Sequence, residues 1–184
     1  MEHRHRLHLL RPAVWKAAVL AAAFQVLAVS AHARVFMTQR QALASVFPAG
    51  TQVTRQVVYL TPAQLSAAKK ESGLDFDDRM IVRYAGPNGF AYFDTHRVRT
   101  LPETIMVVVT PDGRIERIEI LSFDEPPDYL PRQRWMDQFK ARRLDDDLSL
   151  KRAIRPISGA SLSGRAITNA SRKILALHRA IGGK

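Results

Sequence analysis

The sequence predicts an α+β fold, an antiparallel sheet with packed helices and a C-terminal amphipathic helix. Three observations predict it. The apolar, β-branched residues 105–110 and the alternating residues 115–123 flank Pro111-Asp112-Gly113-Arg114, a glycine-containing turn of hairpin length. Ile167, Ala170, Ile174, Leu177 and Ile181 recur at helical spacing near the C-terminus. Between these, helix-like and strand-like stretches follow one another with no internal repeat, long linker or low-complexity block, so helices must pack on a sheet.

In chain order, residues 38–47 read as a short helix with Ala42, Leu43, Val46 and Phe47 on one side, ended by Pro48-Ala49-Gly50. Residues 51–60, rich in Val, Thr and Tyr, read as a strand. Thr61 as N-cap and Pro62 in the first turn open a second helix that fades near Ser72-Gly73. Residues 80–84 and 90–94 are strands on either side of the turn Gly86-Pro87-Asn88-Gly89. After the hairpin, in which Ile115, Ile118 and Ile120 alternate imperfectly with charged residues, Asp124-Glu125-Pro126-Pro127 breaks the sheet. Residues 132–139 form a short helix with Trp135 and Phe139 one turn apart, and Asp145-Asp146-Asp147 a solvated turn. The last helix runs from about residue 163 to 181 and stops at Gly182-Gly183.

The N-terminal stretch stands apart from this fold. Arg4, Arg6 and Arg11 precede a mainly apolar run at 17–29, followed by Ser30-Ala31-His32-Ala33. That pattern is a secretory signal peptide, residues 1–33, with cleavage expected after Ala33. The run is short for an uncleaved spanning helix, which wants about 20 apolar residues. The remaining domain, 34–184, holds 24 Lys and Arg against 16 Asp and Glu, a balance of +8. Such a surface suits an acidic protein or anionic lipid, and an exported protein seldom meets nucleic acid, so no nucleic-acid partner is expected. The chain has no cysteine, which excludes disulfides, thiolate metal sites, iron–sulfur clusters and thioether-bound haem. His96 and His178 are the two histidines outside the leader, and no metal is expected. Redox work would need an organic cofactor.

Ser158-Gly159-Ala160-Ser161, followed by Leu162-Ser163 and the last helix, is the most informative segment. A small turn presents a hydroxyl where backbone N–H groups are unpaired and the helix dipole is positive, which suits a phosphate. The segment resembles the flavinylation motif of the FMN-binding domain family. In that family the last hydroxyl of a Ser-Gly-Ala-Thr or Ser-Gly-Ala-Ser run carries FMN through a phosphoester; here it belongs to Ser161. Further elements match in order: Val46-Phe47-Pro48, Leu60-Thr61, Gly89-Phe90-Ala91-Tyr92, Val107 to Gly113, Glu125-Pro126, Arg132 to Phe139, and Ser158 to Thr168.

The resemblance implies an FMN-binding domain over 34–184, like the periplasmic flavin-carrying subunits of membrane electron-transfer complexes. It implies covalent FMN, loaded by a flavin transferase with FAD as donor, and a membrane or periplasmic redox protein as partner. It departs at Arg155, where the family usually has an acid three positions before the motif. Arg155 is there to neutralise a phosphodiester, or it marks an alternative, a periplasmic interaction or scaffold module of the same fold without flavin. Cofactor-binding candidates are Ser161, Ser158, Gly159, Ala160, Leu162 and Ser163, with Glu125, Arg132, Trp135 and Tyr92 beside the ring. Trp135 and Tyr129 would stack on it. The bland readings are helix capping by the serines, core packing by the aromatics and a salt bridge from Glu125. A serine hydrolase, with His96 or His178 as base, lacks the final glycine of the nucleophile elbow.

Overall fold

The computed structural model describes residues 34–183, which form one compact unit. The signal peptide expected at 1–33 lies outside the described residues. The elements are β1 (Arg34–Val35), α1 (Gln39–Val46), β2 (Thr54–Tyr59), α2 (Pro62–Ser72), β3 (Met80–Gly86), β4 (Gly89–Arg97), β5 (Pro102–Val109) and β6 (Ile115–Phe123). After a 3-10 turn at Pro127–Tyr129 come α3 (Gln133–Met136), its 3-10 continuation Asp137–Phe139, and α4 (Ser161–Ala180). This is the α+β architecture expected, a six-stranded antiparallel sheet in the order β1-β6-β5-β4-β3-β2.

Local chemistry explains the helix starts. Thr38 with Gln41, and Thr61 with Gln64, each make a reciprocal capping box, which satisfies donors that a helix start otherwise leaves unpaired. Gly73, at φ 69°, closes α2 in the left-handed region that glycine enters without penalty.

The sheet buries both faces. On one, Tyr92, Ile105, Val107, Ile118 and Phe123 pack under α2, the 3-10 continuation of α3, and α4, whose Ala68, Phe139, Ile167 and Ile174 complete the main core. On the other, Ala91, Met106, Val108 and Leu121 meet Ala42 and Phe47 of α1. Fully burying each large apolar side chain contributes about 1.5–3 kcal/mol before chain entropy is counted.

The imperfect alternation of β6 has a cause. Thr104 faces Ser122 while Ile105 faces Ile120, and Val108 faces Arg117 while Val109 faces Ile115, so Leu121 and Glu116 are extra residues at two bulges. Each bulge reverses which face the next residues of the strand point to. Ile115, Ile118, Ile120 and Phe123 therefore share the main-core face, and Leu121 turns to the other. Among the described residues no helix is long and apolar enough to cross a membrane.

Candidate functional site

The last helix starts two residues earlier than its periodicity suggests, because Gly159 turns the chain at φ 80° and Ala160 already sits at the cap. No side chain caps this helix. Capping by Ser158, Ser161 or Ser163, the bland reading, is thus not what these hydroxyls do. Ser161 is the first helical residue and is exposed; its Oγ makes one long hydrogen bond, 3.5 Å, to the Ile157 carbonyl. The uncapped start of this 20-residue helix carries the positive end of its dipole.

Two contacts hold that start in place. Ser163 is buried, and its Oγ donates to the Tyr129 carbonyl at 2.7 Å, pinning the 3-10 turn against the helix. Trp135 Nε1 donates to the Arg155 carbonyl at 2.6 Å, just ahead of the motif. The indole also lies against Gly164, where a Cβ would sit 3.4 Å from the ring.

Gly159, Ala160, Ser161, Leu162 and Ser163 line one wall of a cavity of about 280 Å³; Val98, Arg99, Glu125 and Tyr129 line the other. Glu125 fixes that second wall. Its Oε1 accepts N–H bonds from Arg99 at 3.1 Å, Thr100 at 2.6 Å and Leu101 at 2.8 Å, gathering the β4–β5 turn around one buried carboxylate. Burial pushes the Glu125 carboxyl up, but the donors from Leu101, Thr100 and Arg99 outweigh it and hold it below its ordinary value. The salt bridge given as its bland reading is absent among the described residues.

Four candidate residues lie outside the cavity lining, and the first, Ser158, is exposed just ahead of the Gly159 turn. Tyr92 belongs to the main core, where its Oη shares a 2.7 Å hydrogen bond with His178 Nδ1. His178 is 17 residues along α4 from Ser161, about 25 Å at 1.5 Å per residue, so Tyr92 packs at the opposite end of the helix. Trp135 buttresses the helix start instead of lining the cavity, its ring edge-on to Phe139. Arg132 is the exposed residue ahead of α3, whose inner face is Met136, and it too is outside the cavity lining. Tyr129 is the aromatic that faces the cavity. Val98 and Arg99 were not read from the sequence, because β4 runs on to Arg97 and only the Glu125 clamp folds the next turn over the motif.

The two histidines are committed away from Ser161. His96 is held on both nitrogens, Nδ1 2.9 Å from Asp94 Oδ2 and Nε2 3.0 Å from Glu103 Oε2. Lys173 of α4 reaches Asp94 Oδ1 at 2.5 Å. Burial lowers the His96 pKa, but the two carboxylates outweigh it and raise it to about 9. Asp94, with two cations, is held low despite its burial. Glu103 is 0% exposed, shares only the imidazole, and has one oxygen without a partner; there burial wins and its pKa is raised. His178 is buried and its pKa falls to about 4, from desolvation first and the Arg83 and Arg179 charges second. Neither ring bonds to Ser161, so the hydrolase reading has no base.

A sheet-backed helix whose uncapped start carries an exposed hydroxyl on the rim of a cavity has the geometry that suits an anionic group. Residues 101–176 match the model of the family described as FMN-binding domain, and this stretch of the chain is an FMN-binding domain. The match spans β5, β6, the cavity's Glu125–Tyr129 segment and the Ser161 helix start, while β1 to β4 complete the same sheet. No curated protein and no solved structure matches the chain. Flavin binding is the property the family supports. The residues fit it: the cavity, small beside the about 300–1,000 Å³ of typical ligand pockets, suits a flat ring alone, and the uncapped N–H groups suit its phosphate.

Proposed function

We propose that this chain is an exported electron carrier whose FMN is attached by a phosphoester to Ser161. The observation that carries the proposal is the exposed Ser161 hydroxyl, at an uncapped helix start, on the rim of a cavity inside the FMN-binding domain. The N–H groups of Ser161, Leu162 and Ser163 orient the phosphate, and the left-handed Gly159 turn leaves it room; a Cβ there would meet nothing within 4 Å. Val98, Tyr129 and Leu162 exclude water from the ring, and Glu125 keeps the opposing turn in place. The helix dipole contributes only about 0.3–1 kcal/mol, so a covalent bond is what retains the cofactor after export.

Loading uses a flavin transferase and FAD. The Ser161 Oγ–phosphorus bond forms, the FAD pyrophosphate bond breaks, AMP leaves, and the serine proton passes to solvent. Bound flavin then supplies the electron-transfer chemistry, and the protein supplies position and field. The leader pattern ending at Ala33 supports a periplasmic location, with a membrane or periplasmic redox protein as partner.

Intact mass after co-expression with a flavin transferase tests this. The expected gain is one FMN less one water on wild type and on Ser158→Ala, and none on Ser161→Ala. An adduct that persists on Ser161→Ala, or a colourless wild-type chain, rules the proposal out.

A further inference from the structure

Ser161 borders a second cavity as well. This one, about 680 Å³, lies on the side of the helix start that faces Leu74, Lys151, Arg165 and Asn169. Arg99 stands on the first cavity, Lys151 and Arg165 on the second, and Arg155 just ahead of the motif, all four exposed. None of them has a carboxylate within 4.0 Å among the described residues, so around Ser161 their charges are not neutralised by the chain itself. The nearby acids are mostly spent: Glu125 on backbone N–H groups, Asp147 on Arg152 and Asp75 on Lys69. Asp124 and the exposed Asp128, flanking Glu125 and Tyr129 in the chain, have no cation partner among the described residues, and nor do Asp145 and Asp146 ahead of Lys151, where Asp145 is taken up by the N–H groups of Asp147 and Leu148. Lys151 is held in the left-handed region, φ 68°, with its N–H on the Ile154 carbonyl at 2.9 Å, a conformation that a residue with a Cβ seldom adopts without cause.

We infer that Arg99, Lys151, Arg155 and Arg165 form a docking collar that steers an acidic redox protein onto the cofactor edge at Ser161. This rests on the flavin reading above and adds the chemistry of the partner. Complementary charge raises encounter rates by about 10–10³ and loses its effect in salt. Transient electron-transfer complexes bury little area, so charge does more for them than apolar contact. The collar has that composition: Leu162, 44% exposed, is its single large exposed apolar side chain. The other exposed large hydrophobics, Val35, Phe36, Val57, Tyr59 and Met80, belong to β1 to β3 and the residue after β1. A membrane-binding surface would gather such aromatic and aliphatic anchors around its cations, which favours a protein partner here.

The test has two arms. Flavin-loaded protein, its loading checked by mass, is reduced with dithionite and mixed with ferricyanide or with hexaammineruthenium(III). Each oxidant takes one electron at a time from the reduced cofactor. The ferricyanide rate is expected to fall about tenfold from low to high salt while the ruthenium rate rises. Arg99→Glu with Arg165→Glu should reverse that order at low salt, and Arg40→Glu, on α1 across the sheet, should change neither. The second arm needs no flavin: isotope-labelled apo chain is titrated with an acidic two-iron ferredoxin. Amide shifts are expected at residues 99, 151, 155, 162 and 165 and should vanish in high salt. Equal salt responses of the two oxidants would overturn the inference, as would ferredoxin shifts centred away from the collar. So would phosphatidylglycerol vesicles that broaden the collar amides while ferredoxin leaves them unmoved. If Ser161 carried no flavin, the first arm would fail with the electron-carrier proposal, and the ferredoxin titration would still decide the docking surface.

Discussion

Raising the pH through the range where His96 loses its proton should weaken the fold. The imidazolium bridges Asp94 and Glu103 at 2.9 and 3.0 Å and ties the ends of β4 and β5, through Asp94, to Lys173 on the helix that begins at Ser161. Its pKa is raised from 6.5 to about 9, and the side chain is 17% exposed, so solvent screens it little. That gap is worth about 3 kcal/mol at 1.36 kcal/mol per pH unit. Because the folded pKa lies above the unfolded one, the contribution is complete below pH 6.5 and disappears as the pH climbs to about 9. Glu103 acts in the same direction but lower down: its raised pKa favours the folded protonated form in acid, and that contribution fades as the pH rises above its ordinary 4.5. Urea unfolding of wild type and His96→Gln from about pH 6 to about pH 10 isolates the histidine, since lysines and tyrosines titrate in both. The stability difference should shrink by about 3 kcal/mol across that range. A difference that stays constant, or a ring titration at or below 6.5 in the NMR spectrum, would refute the reasoning.

His178 predicts an acid limb of opposite sign. Its folded pKa, about 4, lies below 6.5, so its share of stability is complete above pH 6.5 and falls by about 3 kcal/mol as the pH drops to 4, visible as a lower urea midpoint. Tyr92→Phe leaves the buried Nδ1 unpaired beside an Nε2 that already lacks a partner, and should cost about 1–3 kcal/mol in the same assay; a neutral effect would mean the bond is not made. Glu125→Ala releases three N–H groups, so hydrogen exchange at Arg99, Thr100 and Leu101 should accelerate and stability drop by about 2 kcal/mol; unchanged protection there would disprove the clamp. Gly89→Ala places a Cβ against the Val109 carbonyl at a φ of 138°, and should destabilise by about 3 kcal/mol in thermal unfolding, whereas a loss under 1 kcal/mol would contradict the close approach.

The elements legible in the sequence are those whose signal is local. The β5–β6 hairpin comes from two adjacent runs and one glycine turn, α2 from Thr61-Pro62 and its glycine stop, and α4 from five apolar residues on one face. The parts that differ from the sequence reading depend on neighbours distant in the chain. The β6 bulges are set by its register against β5, and β4 extends past Asp94 because His96 finds Glu103 opposite it. The tie from Arg155 to Trp135, 20 residues back, meets α4 just before its earlier start, and the 132–139 helix splits after Met136. Of the candidate residues, the contiguous run from Gly159 to Ser163 lines one cavity together because neighbours in a helix turn share a place. Tyr92, Trp135 and Arg132 do not join it, since nothing in a sequence says which end of a helix a strand residue will meet.

By itself, then, the chain's order of residues dictated an antiparallel sheet with a long amphipathic helix, and a hydroxyl beside a glycine where that helix begins. Both are matters of short-range spacing and backbone preference, which a chain carries wherever it goes. Three-dimensional packing alone decided that Val98, Arg99, Glu125 and Tyr129 form the cavity wall opposite that hydroxyl. It alone decided that Ser163 and Trp135 serve as supports, and that His96 and Lys173 neutralise acids under the helix. Those outcomes turn on buried hydrogen bonds and charges, most of them between residues far apart in the chain, whose strength exists only once water has been excluded between them.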